Sequence, residues 1–203
     1  MKYGIILLTL LVLTGCNGEA KTESDEKEKN ESKWSDKAEL ESIFERDLKD
    51  MIAAFNAGDY VTGTDYMPEE VFNYASKEQM VSQFETIENM GMSMSYLEFD
   101  LKDISKVVFH EGKYYSRILS SSKSKIVFNE YARYLMDEFA GEYDDSESTI
   151  QRDSDSSLIL LSNDINYAIN DEDSEIWKYL RSDKQMKVIV NRIVPTQVRI
   201  ALD

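Results

Sequence analysis

Apolar positions along the chain recur with two different periods. Leu40, Ile43, Phe44, Leu48, Met51, Ile52 and Phe55 follow i, i+3, i+4 spacing, which predicts an amphipathic helix from about Ser35 to Gly58. Pro68-Glu69-Glu70-Val71-Phe72 reads as a short helical turn with Pro at its first position. Ser76-Lys77-Glu78-Gln79 has the composition of a capping box, and it opens a helix with Met80, Val81, Phe84, Ile87 and Met90 inward and Gly91 at its end. From Met92 alternation takes over. Met94, Tyr96, Phe99 and Leu101 predict a strand, and Ile104 to Phe109 with Lys113 to Ser121 flank His110-Glu111-Gly112 as a β-hairpin. Between 126 and 131 two readings stand. Lys125 to Asn129 fits a continuing or separate strand, while Val127, Phe128, Tyr131, Tyr134, Leu135 and Phe139 fit a helical stripe. Residues 141 to 156 are polar and acidic and read as a loop. Ser157 to Leu161, Tyr167 to Ile169 and Glu175 to Leu180, which contains Trp177, read as strands around a turn at Asp171-Glu172-Asp173-Ser174. Asp183 to Val190 fits a last helix, and Pro195 breaks the chain before Thr196 to Leu202. No segment repeats another. Helices come first and a mainly antiparallel sheet follows, so the expectation is a single α+β domain over 35–203.

The start of the chain obeys neither period. Met1-Lys2 is followed by Ile5 to Leu13, apolar apart from Thr9. A spanning helix needs roughly 20 apolar residues, so this short run after a positive start reads as a signal peptide over 1–15. Leu13-Thr14-Gly15-Cys16 resembles a bacterial lipobox: a branched apolar residue, two small ones, then Cys. The resemblance implies cleavage after Gly15 and lipid attachment at Cys16, with palmitate among the acyl chains. The alternative is a buried Cys closing an apolar run, but the chain's single Cys stands where a lipobox needs it. Two lipid signals already anchor a protein stably, so the membrane is the expected partner through this anchor. In bacteria that sort lipoproteins by the next residue, Asp there retains them at the inner membrane, and Asn17 points instead to the outer one. Residues 17–33 hold no large apolar side chain and cannot bury enough surface to order themselves. Lipidated Cys16 and an acidic tether over 16–34 are therefore expected, with a span of about 23 Å. Ser24-Asp25-Glu26 loosely resembles a surface-export signal; the competing reading is a plain linker.

Charge narrows the partners. With 39 acids against 23 Lys and Arg, the formal net charge is -16, which argues against nucleic acid or an anionic membrane surface. One Cys permits no internal disulfide and no Cys-built zinc site, and one His permits no His-rich metal centre. Thirteen acids fall between Asp137 and Glu175, against Arg152 alone. The groups Asp144-Asp145, Asp153-Ser154-Asp155 and Asp171-Glu172-Asp173 could serve calcium only if their oxygens converged, and EF-hand spacing is absent. A solvated, self-repelling face is the simpler reading; Asp153, Asp155, Asp171 and Asp173 are the ligands to test if an ion binds.

The order helix, short helix, capped helix, meander resembles the nuclear-transport-factor-two-like (cystatin-like) fold. The tail Asn166-Tyr167-Ala168-Ile169, Ile176-Trp177-Lys178-Tyr179-Leu180 and Ile193-Val194-Pro195, with Met67-Pro68-Glu69-Glu70-Val71-Phe72, resembles small Gram-negative lipoproteins of that fold class. The resemblance covers roughly 38–202. It implies N-terminal helices packed against a curved, cone-like sheet, and the helical stripe at 127–140 departs from it. Enzymes of the class place an Asp or Tyr in the cone, which makes Asp59, Tyr60, Asp65 and Tyr66 candidates for proton transfer; capping Asp and packed Tyr residues are the plainer reading. His110 borders the hairpin turn, and no nucleophile elbow accompanies it. Phe99, Phe109, Tyr114, Tyr115, Phe128 and Trp177 are core residues by default, with some available to line a pocket. The expectation is a lipid-anchored envelope protein acting as a binding or interaction module. The alternatives are an enzyme using a cone pocket for proton transfer or hydrolysis, and an ion-responsive surface protein. No catalytic residue, cofactor or metal is assigned.

Overall fold

The computed structural model describes residues 33–143, 148–183 and 186–203. The segment expected to be a signal peptide, Cys16 and nearly all of the expected tether lie outside the described residues, as does Asp144-Asp145.

Helix α1 spans Lys37–Asn56. The Asp36 carboxylate caps it by accepting from the Ala38 and Glu39 amides, and Leu40, Phe44 and Leu48 form its buried stripe. Gly58, at φ 73°, supplies the left-handed turn after its end. Helix α2, Tyr60–Thr64, is capped by Asp59. A 3-10 turn follows Pro68 over Glu69–Asn73. Helix α3, Lys77–Asn89, has both halves of the Ser76–Gln79 capping box formed. It buries no residue fully, and two of its expected inward positions, Ile87 and Met90, are exposed.

The strands are β1 (Met92–Ile104), β2 (Val108–His110), β3 (Lys113–Phe128), β4 (Ser148–Ser154), β5 (Ser157–Asp171) and β6 (Lys178–Arg181). They form one open sheet in the order β1-β3-β5-β4, with β2 beside β3 and β6 beside β5, and every pair is antiparallel. Glu111 and Gly112, at φ 49° and 78°, make the two-residue turn between β2 and β3; positive φ at both positions matches the right-handed twist of the strands. Two register shifts in β1 bend that edge strand. Helices α4 (Met136–Tyr143), α5 (Lys187–Ile193) and α6 (Thr196–Leu202) complete the fold. The architecture is α+β, with helices ahead of a curved antiparallel sheet.

Side chains alternate between the two faces of a strand, so the even-numbered residues of β3 and their partners on β5 share one face. At one end of that face α1 covers Tyr114, Ile118, Ala168 and Tyr179, with Trp177 among them. At the other end Ala132 and Met136 cover Ile126, Phe128, Leu158 and Leu160. The opposite face holds Tyr115, Tyr167 and Ile169 under Val190, Val194, Val198 and Leu202.

Several expectations need correction. The acidic stretch read as a loop contains β4, an edge strand bonded on one side only, whose exposed residues leave no apolar alternation to read. The two strand pieces at 157–161 and 167–169 are one strand, because β3 pairs with β5 through the intervening polar residues. Trp177 is buried, 1% exposed, but precedes β6 rather than lying in it. The ambiguous stretch is divided: β3 runs to Phe128 and α4 begins at Met136.

Candidate functional site

Lys33 and Trp34, which the sequence assigns to the tether, are held against the sheet. The Lys33 ammonium donates to the backbone oxygens of Glu172 (3.2 Å) and Ser174 (3.1 Å), pairs with Glu175 at 3.5 Å, and lies over the Trp34 and Tyr114 rings. Trp34 packs edgewise on Trp177, centroids 5.2 Å apart, and on Tyr114 at 6.5 Å. Opposite it, β1 ends at Ile104 and the chain turns through Ser105–Val107 into β2. That turn is tied to β3: the Ser105 amide donates to the Arg117 carbonyl (2.8 Å), and the Arg117 amide donates back to Ser105 Oγ (2.8 Å). Between the start of α1, this turn and the β2–β3 hairpin lies a cavity of about 360 Å³, with apolar walls from Trp34, Leu40, Ile104, Val107, Phe109 and Tyr114.

The polar lining is Ser35, Lys37, Ser105 and Lys106, and among the described lining residues there is no carboxylate. Lys37 Nζ donates to Asp103 at 2.7 Å, which holds the ammonium above its usual pKa. Lys106 makes no ion pair among the described residues. The Trp34 indole Nε1 is buried and has no hydrogen-bond partner among them. A buried donor left unpaired costs about 1–3 kcal/mol.

The other candidates are scattered. Asp59 caps α2, and bonding to Thr62 holds its carboxyl below the usual range, the opposite of a general base. Tyr60 stacks on Phe84 at 5.0 Å; burial, then a hydrogen bond to Glu88, pushes its phenol up to about 12. Asp65 is exposed and paired with Lys77, while Tyr66 packs against the α1 cluster. These four make no buried Asp–Tyr pair. A partly buried Asp–Tyr pair does form elsewhere: Tyr179 Oη donates to Asp47 Oδ2 at 2.8 Å, and Arg46 holds the other carboxylate oxygen at 2.7 Å. Burial first, then Asp47, moves the Tyr179 phenol far above its ordinary value. His110 contacts Gln197 at 2.9 Å and lies 3.8 Å from Glu111.

Acidic residues of the 137–175 stretch face individual cations. Asp137 pairs with Arg152, Asp153 with Lys125 (2.8 Å) and Asp171 with Lys113 (3.0 Å). Asp153 and Asp155 precede β5 whereas Asp171 and Asp173 follow or close it. At about 3.3 Å per residue the two pairs are separated by roughly 45 Å of strand, so they cannot ligate one ion. Among the described residues no three His, Cys, Asp or Glu side chains gather as a metal would require.

Of the six aromatic candidates, Phe109 and Tyr114 line the cavity, and Phe99, Tyr115, Phe128 and Trp177 pack in the clusters. Sequence reasoning missed Trp34 and Lys106. It also missed a polar floor between the two apolar ends of the α1 face: buried Ser120, Ser122, Ser124, Ser162 and Asn166. Ser122 Oγ donates to Asp164 (2.9 Å), and Arg181 pairs with Asp164 at 2.7 Å. Tyr96 joins them, its phenol raised by burial and by the nearby Asp164 against the opposing pull of Arg181. The sequence signal was serine at every second position between Ile118 and Ile126.

Compared with family models, with curated proteins and with solved structures, the chain matches none. No helix among the described residues is long and apolar enough to cross a membrane.

Proposed function

We propose that this chain is a lipid-anchored protein of the bacterial cell envelope, held at the outer membrane through Cys16, whose domain binds a small molecule in the aromatic cavity. The observation that carries the binding reading is the cavity itself. It holds about 360 Å³ behind aromatic and aliphatic walls with a few polar groups, which is the composition of small-molecule sites. The lipobox-like Leu13-Thr14-Gly15-Cys16 supports the anchor, and the helices leading into a curved sheet support the resemblance to nuclear-transport-factor-two-like proteins. The enzyme alternative draws on the Asp47–Tyr179 pair, but neither residue lines the cavity.

Cys16→Ser abolishes palmitate incorporation and moves the protein into the soluble envelope fraction. An unmodified, uncleaved N-terminus on the native protein, seen by mass spectrometry, sinks the anchor. For binding, calorimetry with a naphthalene probe shows one-to-one saturation, and Val107→Trp, whose larger side chain narrows the cavity, weakens it. Binding unchanged by Val107→Trp places the site elsewhere.

A further inference from the structure

We infer that the Asn56 side chain guards the free edge of the sheet, and that the surface it guards is one through which two copies of this chain would join, β1 against β1. The inference is independent of the cavity.

An edge strand carries backbone N–H and C=O groups that face away from the sheet and can pair with another strand. β1 is such an edge: β3 lies on one side, and among the described residues no strand lies on the other. Most of its length carries ordinary protection. Register shifts at Tyr96/Glu98 and Leu101/Asp103 bend it, and Glu98, Asp100, Lys102 and Asp103 place charges along it. The edge strand β4 is short and carries Arg152 and Asp153. The first part of β1 has neither device. Residues 89–97, Asn-Met-Gly-Met-Ser-Met-Ser-Tyr-Leu, hold no charge, although 31% of the chain is charged. Met94 and Leu97 are half exposed there.

Asn56, the last residue of α1, sits at this stretch. Its Oδ1 accepts from the Tyr96 amide (2.8 Å), and its Nδ2 donates to the Tyr96 carbonyl (2.9 Å). A carboxamide offers an acceptor and a donor together, as a strand residue does, so Asn56 stands in for a paired neighbour. The contact also fixes which backbone groups point outward. Tyr96 turns its N–H and C=O away from Ser124, its partner on β3. Outward-facing residues alternate along an antiparallel strand, so Met94 and Met92 face the same way. Phe128, opposite Met92, has the matching phase: its amide donates to Ser156 rather than to β1.

Two copies of this segment can pair antiparallel about a two-fold axis at Met94. That sets Met94 against Met94, Met92 against Tyr96 and Tyr96 against Met92. The register uses uncharged residues throughout. Sliding it along β1 would bring Glu98 and Asp100 of the two copies together, and like charges across strands repel. Two of the three pairs need the Tyr96 groups that Asn56 occupies, so with Asn56 in place the Met94 pair alone is left.

The test is sedimentation velocity over a concentration series, on the whole chain carrying Cys16→Ser so that no lipid drives assembly. Asn56→Ala is expected to form dimers about tenfold more tightly than the parent, the effect of roughly one or two net hydrogen bonds. Adding Met94→Pro to Asn56→Ala is expected to restore the parent's behaviour, because proline removes the outward N–H of residue 94 and leaves the bonds to β3 in place. Self-association of Asn56→Ala no tighter than the parent's overturns the inference. Association that survives the added Met94→Pro overturns it as well, because it then runs through another surface or through a loosened fold.

Discussion

Helices α1 and α3 start from nearly the same sequence logic and end in different environments. Each has an apolar stripe at helical spacing and a side-chain cap, Asp36 for α1 and the Ser76–Gln79 box for α3. Yet α1 buries Leu40, Phe44 and Leu48 under the sheet, while α3 buries nothing fully and leaves Ile87 42% exposed. Its main aromatic contact is Phe84 against Phe55 and Tyr60. The stripe says which side of a helix is apolar. Whether that side is covered depends on the sheet, and the sheet offers one end of its inner face to α1 and none of that cluster to α3. Capping stabilises both helices locally, but burial assigns one to the core and the other to the margin.

The comparison breaks most visibly at the two phenylalanines. Phe44 is fully buried between Trp177 and Tyr179, and Phe44→Ala is expected to cost about 3–5 kcal/mol of global stability. Phe84 is half-buried, so Phe84→Ala should cost about 1–2 kcal/mol. Denaturant midpoints of the two variants measure the gap. Equal losses would mean that α3 belongs to the same cooperative core as α1.

Next in size is the hydrogen bond that fastens α1 to β6. Tyr179→Phe leaves the Asp47 carboxylate with Arg46 alone, and losing a bond to a charged acceptor costs about 1.5–3 kcal/mol at neutral pH. The sign with pH follows from the raised phenol pKa of Tyr179. Its contribution is complete below the unfolded value near 10 and is lost as pH rises above it. The Phe variant lacks that alkaline decline, so the two stability curves converge as pH climbs past 10. Parallel curves would show that Tyr179 does not titrate against folding.

How much of this was legible in the sequence depends on whether the information was local. The α1 stripe and the capping box are set by neighbouring residues, and each forms where the pattern places it; the hairpin forms too, but its first strand, read as Ile104 to Phe109, is Val108–His110, because Ile104 closes β1 and residues 105–107 turn. β5 was broken into pieces because Asn163, Asp164 and Asn166 interrupt its apolar residues, and only pairing along β3 carries the strand through them. The cavity was half legible. Phe109 and Tyr114 flank a recognisable turn, but Trp34 closes a polar run and finds Trp177 only after 143 residues of chain have folded. Asp47 and Tyr179 likewise meet only across the finished fold.

The caps offer a finer test. Asp36→Ala and Ser76→Ala each remove one cap, worth about 1 kcal/mol. Because α1 carries the core, Asp36→Ala should lower the global melting temperature by a few degrees. Ser76→Ala should chiefly speed amide exchange within α3, as expected where opening is local. A melting shift of equal size from Ser76→Ala would erase the distinction between the two helices.

The smallest expected effect lies at Tyr60, whose ring stacks on Phe84 and links α2 to α3. Its phenol pKa is raised to about 12, mainly by burial and secondarily by its hydrogen bond to Glu88. A raised phenol pKa means that folding favours the neutral form. The stabilisation is therefore full below the unfolded pKa of about 10 and fades as pH rises through 12. Tyr60 is only partly buried, so solvent screens much of this, and the loss should loosen α3 without unfolding the domain. Methionine methyl resonances separate the regions, since Met80 sits on α3 and Met51 on α1. Between pH 10 and 12 the Met80 methyl should shift before that of Met51, and Tyr60→Phe should remove the early shift, because the ring still stacks but no longer carries an ionisable hydroxyl. Coincident shifts at Met80 and Met51 would tie α3 to the core after all, and an early shift that persists in Tyr60→Phe would assign it to another group.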